Sequence, residues 1–376
     1  MSPKTDQQYR VLYVITDTDI GGAERFLLRL VRHLRNRIVP SVVSLLPEGT
    51  LADSLRACGV TVTSLELGRA RWPQAARRLK HLAEEVRPHI VHSILCHANL
   101  AARWLRLFHS CPSIASVRVA ERGSLWQRRA EQLSWRLSDR IVAVSRGVAR
   151  FLRGLGVAPG RLRIIENAVE LDRLRAVRPV DRASLATDPR ARVLLFAGRL
   201  TRQKGLDTLI RSLPIIARTV EDVVLWVAGR GEKAAYIELA QHLGVADRVR
   251  WLGFRDDLPA LMKAADALVL PSRWEGEPNV VLEAFACELP VVATRVEGSE
   301  TLIRRSEGGL LVDPDDVSEL ADAVLRLLRQ PGVQRRCVQG GRRFVQRRSP
   351  QAEAAAYWAL YQELMNRVPR HALLPN

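Results

Sequence analysis

Two carboxylates eight positions apart, Glu275 and Glu283, stand in the stretch PSRWEGEPNVVLEAFA, residues 271–286. A buried-strand signal runs into a loop holding Gly276 and Pro278 and then into a helix. The first amides of that helix, around Asn279 and Val280, have no partner within it, and such an N-terminus attracts anions. A diphosphate fits there. Glu283, set between Val280–Leu282 and Ala284–Phe285, reads as a shielded carboxylate whose donors would be sugar or ribose hydroxyls. The plainer alternative is a loop acid plus a solvated helix acid.

A second set lies in AGRLTRQKGLD, residues 197–207, where Gly198 permits close backbone approach. Arg199 and Lys204 sit near a helix start, where cations oppose the helix dipole and so suggest an anionic ligand. Two surface cations in an arginine-rich chain are the alternative. A third set, TDTDIGGAERFLL at 16–28, follows a strand and opens a helix, with Gly21 and Gly22 as a tight loop that lets backbone approach phosphates or an acceptor. Asp17-Thr18-Asp19 could hold a divalent metal, but these acids fall in the other expected domain from the anion site, so an acceptor-side role for Asp19 or loop capping is expected instead. His97 in LCHANLAAR is another candidate at a helix start, with capping or packing as its alternative role.

These loops need elements to hold them. From residue 10 short β-branched runs alternate with amphipathic stretches, the pattern of parallel sheets covered by helices on both faces. Strands are expected near 10–16, 38–46, 60–65, 89–93, 113–117, 139–144 and 161–166, then near 192–197, 223–228, 248–252, 266–270, 290–293 and 309–312. Helices are expected near 23–35, 74–86, 97–108, 124–137 and 145–154, then near 205–218, 233–243, 279–287, 315–329, 333–347 and 351–366. The stretch 170–190 loses the β-branched runs and carries Pro179 and Pro189, which suggests an interdomain linker. Two doubly wound α/β domains follow, 1–178 and 179–350, with residues 351–376 packing back on the first.

Composition sets the outer bounds. A chain of 376 residues, 47% hydrophobic and 26% charged, has the length of a two-domain enzyme. MSPKTDQQYR lacks the plan of a signal peptide and no apolar run is long enough to span a bilayer, so a cytoplasmic protein is expected. Cys58, Cys96, Cys111, Cys287 and Cys337 form no CxxC pair and read as reduced thiols, and the histidines show no metal spacing. Lys and Arg total 58 against 40 acids, net +18, with only five lysines among them. Codon bias is one source of such arginine content. The clusters at 69–80, 118–153 and 326–348 favour phosphates, and an anionic membrane surface is the expected partner; no helix-turn-helix, zinc-finger or RNP signature points to specific nucleic acid.

Taken together and in this order, the three motifs resemble glycosyltransferase family 4 over nearly the whole chain. The resemblance implies the GT-B fold, two Rossmann-like domains facing a cleft, and transfer from a nucleotide-sugar with retention and without metal or other cofactor. It implies that Glu275 contacts donor-sugar hydroxyls, Glu283 the ribose, and Arg199 and Lys204 the diphosphate. Gly198, Gly276, Asn279, Val280, Gly21 and Gly22 fall in its donor-binding loops. VSRGVARFLRGLGV and RIIENAVELDRL are similar to the segment closing the first domain, with Asn167 at a common asparagine position. The chain departs from the family at Glu288, at Glu297-Gly298-Ser299-Glu300, and in SVRVAER, where Arg118 stands near the place of a histidine in some relatives. Family habit makes a UDP-sugar the expected donor and a lipid-linked or cell-envelope glycan the expected acceptor. A silent scaffold or a basic nucleic-acid-binding protein on the same fold is the alternative, and a nucleotide-sugar epimerase or a glycogen synthase-like polymerase a lesser one.

Overall fold

A computed structural model describes residues 8–19, 21–67, 72–120 and 125–367, without the side chains of 125–128. The first seven residues, residues 368–376 and parts of the basic stretches 69–80 and 118–153 lie outside the described residues. The chain divides into two units, Met1–Asn167 with Pro350–Asn376, and Ala168–Ser349.

Among the described residues the first unit holds seven strands: β1 (Tyr9–Ile15), β2 (Ile38–Ser44), β3 (Thr61–Ser64), β4 (Ile90–Ile94), β5 (Ser113–Val117), β6 (Arg140–Ala143) and β7 (Leu162–Ile164). They form one sheet in the order β3-β2-β1-β4-β5-β6-β7, and every pairing is parallel. Central strands covered on both faces are apolar without alternation: Val11 to Ile15 are all 0% exposed. The helix Gly22–Leu34 turns Phe26, Leu27, Leu30, Val31 and Leu34 onto this sheet at helical spacing. Beside it lies the helix Pro350–Met365, which inserts Tyr357 and Tyr361, both 0% exposed, and ties Glu353 to Arg29 through two hydrogen bonds of 2.8 and 3.1 Å.

The second unit holds β8 (Arg192–Ala197), β9 (Val223–Ala228), β10 (Val249–Gly253), β11 (Ala267–Leu270), β12 (Val291–Thr294) and β13 (Gly309–Val312), ordered β10-β9-β8-β11-β12-β13 and again parallel. Residues 170–190 are not a free linker. Val169 and Leu174 are buried in this unit's core, with Leu171, Val180 and Leu185 packed against it. Buried Trp226 Nε1 donates to buried Thr187 Oγ1 at 2.9 Å. The division between units therefore precedes the boundary expected at 178/179.

In both sheets the strand order reverses once, between β1 and β4 and between β8 and β11. Ligands of open parallel sheets bind outside the carboxyl ends of the strands at that reversal. The loops singled out in the sequence leave those strand ends.

Candidate active site

In the second unit, the loop after β8 and the loop after β11 are stitched side by side. The Arg273 amide donates to Gln203 O at 2.8 Å, and Gln203 Nε2 donates to Trp274 O at 3.0 Å. Gly205 has φ +65°, and a Cβ on it would lie 2.0 Å from Pro271 O, so only glycine allows this approach. Arg273 braces the seam: its guanidinium donates to both Asp207 oxygens (3.0 and 2.7 Å) and to Arg202 O (2.6 Å), and pairs with Asp315 (2.7 Å). Burial pushes the Asp207 carboxyl up, but the hydrogen bonds and charge of Arg273 outweigh it and hold the group below its ordinary range.

The seam brings Lys204 to Glu275. Lys204 Nζ donates to Glu275 Oε1 at 2.6 Å, and Ser272 Oγ donates to the same oxygen at 2.7 Å. Glu275 is 4% exposed, so these charge-assisted bonds hold a carboxylate that would otherwise be costly to bury. Gly198 lies against the Lys204 side chain at ordinary contact distance, and its carbonyl is closely approached by Gly229, whose Cβ would fall 1.8 Å from Gly198 O. Arg199 is exposed at the start of the same loop.

Gly276 follows Glu275 and is pinned from the helix Glu297–Ser306: a Cβ on Gly298 would sit 1.3 Å from Gly276 O. Next, Glu277, 7% exposed, accepts from Arg348 Nη1 at 3.1 and 3.3 Å. The helix Asn279–Ala286 buries Val281, Leu282, Ala284, Phe285 and Ala286. Glu283 is half-buried, not enclosed as its apolar neighbours suggested, because Asn279, Val280 and Glu283 recur at three- and four-residue spacing on the helix's open side.

Further along these strand ends is a cavity of about 300 Å3, lined by Leu200, Val227, Gly229, Arg230, Gly231, Lys233, Trp251, Gly253 and Phe254. The Arg230 guanidinium lies 4.0 Å over the Phe254 ring. Sequence reasoning passed over this cavity, as it did Glu277, Ser272 and Arg273. The glycine-rich GRG directly after β9 was the available signal.

In the first unit the reversal point carries Asp19, Gly21, Gly22 and His97. Asp17 Oδ1 accepts the Asp19 amide at 3.0 Å within the loop after β1, and Thr18 Oγ1 accepts the Gly49 amide at 2.8 Å, which ties that loop to the one after β2. Gly21 precedes the helix in extended conformation, and a Cβ there would strike the buried Glu24 carboxylate at 2.2 Å. His97 is exposed on the first turn of the helix Cys96–Leu105. Before it, Leu95 holds φ +77° and ψ 159°, a strained position for a branched residue. Arg118 is not presented on a loop surface. It is 7% exposed, lies 3.8 Å over the Phe26 ring and donates to the buried Asn167 side chain.

Two parallel α/β units, each with its polar loops gathered at the reversal of strand order, have the architecture of a two-domain nucleotide-ligand enzyme. A family model described as Glycosyltransferase Family 4 matches residues 20–173, and one described as Glycosyl transferases group 1 matches residues 191–330. The chain is 31% identical to the lipopolysaccharide core biosynthesis glycosyltransferase LpsE of Rhizobium meliloti, over 85% of this chain and 89% of that one. It is 29% identical to LpsD of the same organism, over 94% and 98%. Among solved structures it is similar to Anabaena Alr3699/HepE in complex with UDP-glucose, with TM-score 0.82 and 20% identity, covering 94% of this chain and all of that one. The fold is GT-B, and the chain belongs to glycosyltransferase family 4.

Proposed function

We propose that this glycosyltransferase moves a sugar, with retention of configuration, from a nucleotide-sugar held by the second unit to a lipid-linked or cell-envelope glycan. The observation that carries the donor reading is the Lys204–Glu275–Ser272 cluster, stitched beside the N-terminus of the helix Asn279–Ala286 at the reversal of strand order. Glu275 faces donor-sugar hydroxyls, and Glu283 faces the ribose. An ammonium has three N–H donors, so Lys204 can serve a phosphate while it holds Glu275. Arg199 and the helix amides add positive potential for the departing diphosphate, without calling on a metal. The cavity beside Arg230 and Phe254 is of the size that ligand sites begin at and offers a flat ring to a base.

HepE is described in complex with UDP-glucose, which supports a UDP-sugar as the first donor to test. LpsE and LpsD are named for lipopolysaccharide core biosynthesis, which supports an envelope acceptor. The first unit's Asp19, His97 and Arg118 would serve the acceptor, and Gly21 and Gly22 stay assigned to donor binding. An anionic membrane is the proposed surface at which it is met.

Thermal stability with UDP, GDP, ADP and CMP in turn, in EDTA, tests the donor site. A ligand at 100 times its Kd adds about 2.7 kcal/mol, a readily measured rise in Tm. One nucleotide is expected to stabilise the protein selectively, and Glu283→Ala to remove the effect. Lys204→Ala is expected to lower kcat/KM by an amount equivalent to about 2–4 kcal/mol. No shift with any nucleotide would return the weight to a silent scaffold.

A further inference from the structure

Glu275, Gly276 and Glu277 are three consecutive residues held from three different places in the chain: by Lys204, by the backbone at Gly298, and by Arg348. The first two contacts belong to the seam around the site. The third comes from elsewhere. Arg348 stands three residues beyond the helix Pro331–Val345, with its guanidinium 4.6 Å over the Phe344 ring, and its own carbonyl accepts the Val169 amide at 2.8 Å. The chain enters the second unit at Ala168 and leaves it at Ser349. The Val169–Arg348 hydrogen bond therefore joins the two crossings one residue inside each, and the same arginine reaches the loop from that junction.

We infer that Arg348 is a positioning residue that sets the conformation of the donor loop, through Glu277, from the junction of the two crossings. The inference rests on the reading of residues 275–283 as part of the donor site. Arg348 is 8% exposed and Glu277 7%. Stability alone does not call for such a pair: replacing both partners with apolar side chains of similar volume is often neutral, whereas removing one leaves a buried charge uncompensated. What apolar side chains cannot reproduce is direction. One guanidinium nitrogen addresses both oxygens of Glu277 and fixes where the carboxylate, and hence the Gly276–Pro278 backbone, must lie. Donor binding to the loop and the backbone at Val169 are thereby linked, and the linkage runs in both directions.

The test uses the full chain and compares wild type, Glu283→Ala, and the double variant Glu277→Leu with Arg348→Met. Melting temperature, UDP affinity by calorimetry, and hydrogen exchange at the Val169 amide with and without UDP are measured on each. The wild type is expected to show UDP-dependent slowing of exchange at Val169; the double variant is expected to melt as the wild type does, to bind UDP about tenfold more weakly or worse, and to lose that slowing. Should that variant melt early, Arg348→Lys takes its place, since it keeps the charge but not the planar guanidinium. UDP affinity within twofold of wild type, with the exchange response intact, overturns the inference alone. Failure of the wild type to bind UDP, or equal binding by Glu283→Ala, overturns the donor-site reading and this inference with it.

Discussion

His92 on β4 is fully buried, with Nδ1 2.8 Å from the Tyr361 hydroxyl and Nε2 2.8 Å from Ser116 Oγ. Burial, reinforced by the charge of Arg118, pushes its pKa down to about 3. An unfolded chain takes up a proton on this ring near pH 6.5, while the folded one refuses it. The stability His92 confers is therefore fully present above pH 6.5 and drains as pH falls toward 3, at up to about 1.4 kcal/mol per pH unit. His89, lowered by burial and then by the charge of Arg10, acts in the same direction. Urea unfolding between pH 7 and 5 should show stability falling with acid, and His92→Gln should flatten part of that slope even though it lowers stability at every pH. An unchanged slope in the variant would show that the buried ring is not the group responsible.

At the level of elements, the site depends on helices packing so closely that backbone meets backbone. The helix Glu297–Ser306 is the clearest case, because a methyl on Gly298 has nowhere to go against the Gly276 carbonyl. Gly298→Ala should destabilise the protein by about 1–3 kcal/mol, as overpacking does, and should weaken UDP binding by moving the loop that holds Glu275. Denaturant melts and calorimetry check both, and wild-type UDP affinity would mean that the loop does not take its shape from this helix. That helix was also among those sequence reasoning passed over, with the shorter Ala52–Arg56, Leu171–Ala176 and Leu258–Ala264: it opens Glu-Gly-Ser-Glu, with no apolar residue to start a periodic pattern. The strands and long helices were legible because buried parallel strands are unbroken apolar runs and the helices keep their spacing. Residues 170–190 misled because two prolines and many charges look like a linker, while Val169, Leu174 and Leu185 cover a core from scattered positions. Within the site, the motifs themselves were readable. The bond between Lys204 and Glu275, which are 71 positions apart, follows only from the order of the strands. The half-exposure of Glu283 and the burial of Arg118 depend on which face of an element meets a neighbour.

Across the whole molecule, the net charge of +18 meets an unusual group of exposed apolar side chains on the first unit. Trp72, Leu107 and Phe108 are 39%, 62% and 52% exposed, Trp104 lies between Trp72 (6.4 Å) and Phe108 (4.9 Å), and Lys80 Nζ stands 5.2 Å from the Phe108 ring. Amphipathic rings beside cations suit the interface of an anionic bilayer. None of the described helices is long and apolar enough to cross one. Vesicles of mixed phosphatidylglycerol and phosphatidylcholine should retain the protein at low salt and release it at high salt. Trp72→Ser with Phe108→Ser should cut that retention about tenfold or more while UDP still binds. Retention unchanged by the two serines would remove this face as the contact.

The first unit has a further property that bears on how it is made. Its sheet is encoded before Asn167, but Tyr357 and Tyr361, which fill the space beside Tyr13 and His92, are encoded only after all of Ala168–Ser349. During synthesis the unit that begins first is therefore completed second. Until the helix Pro350–Met365 has been made, the side chains of Tyr13 and His92 lack the two tyrosines that cover them in the finished fold.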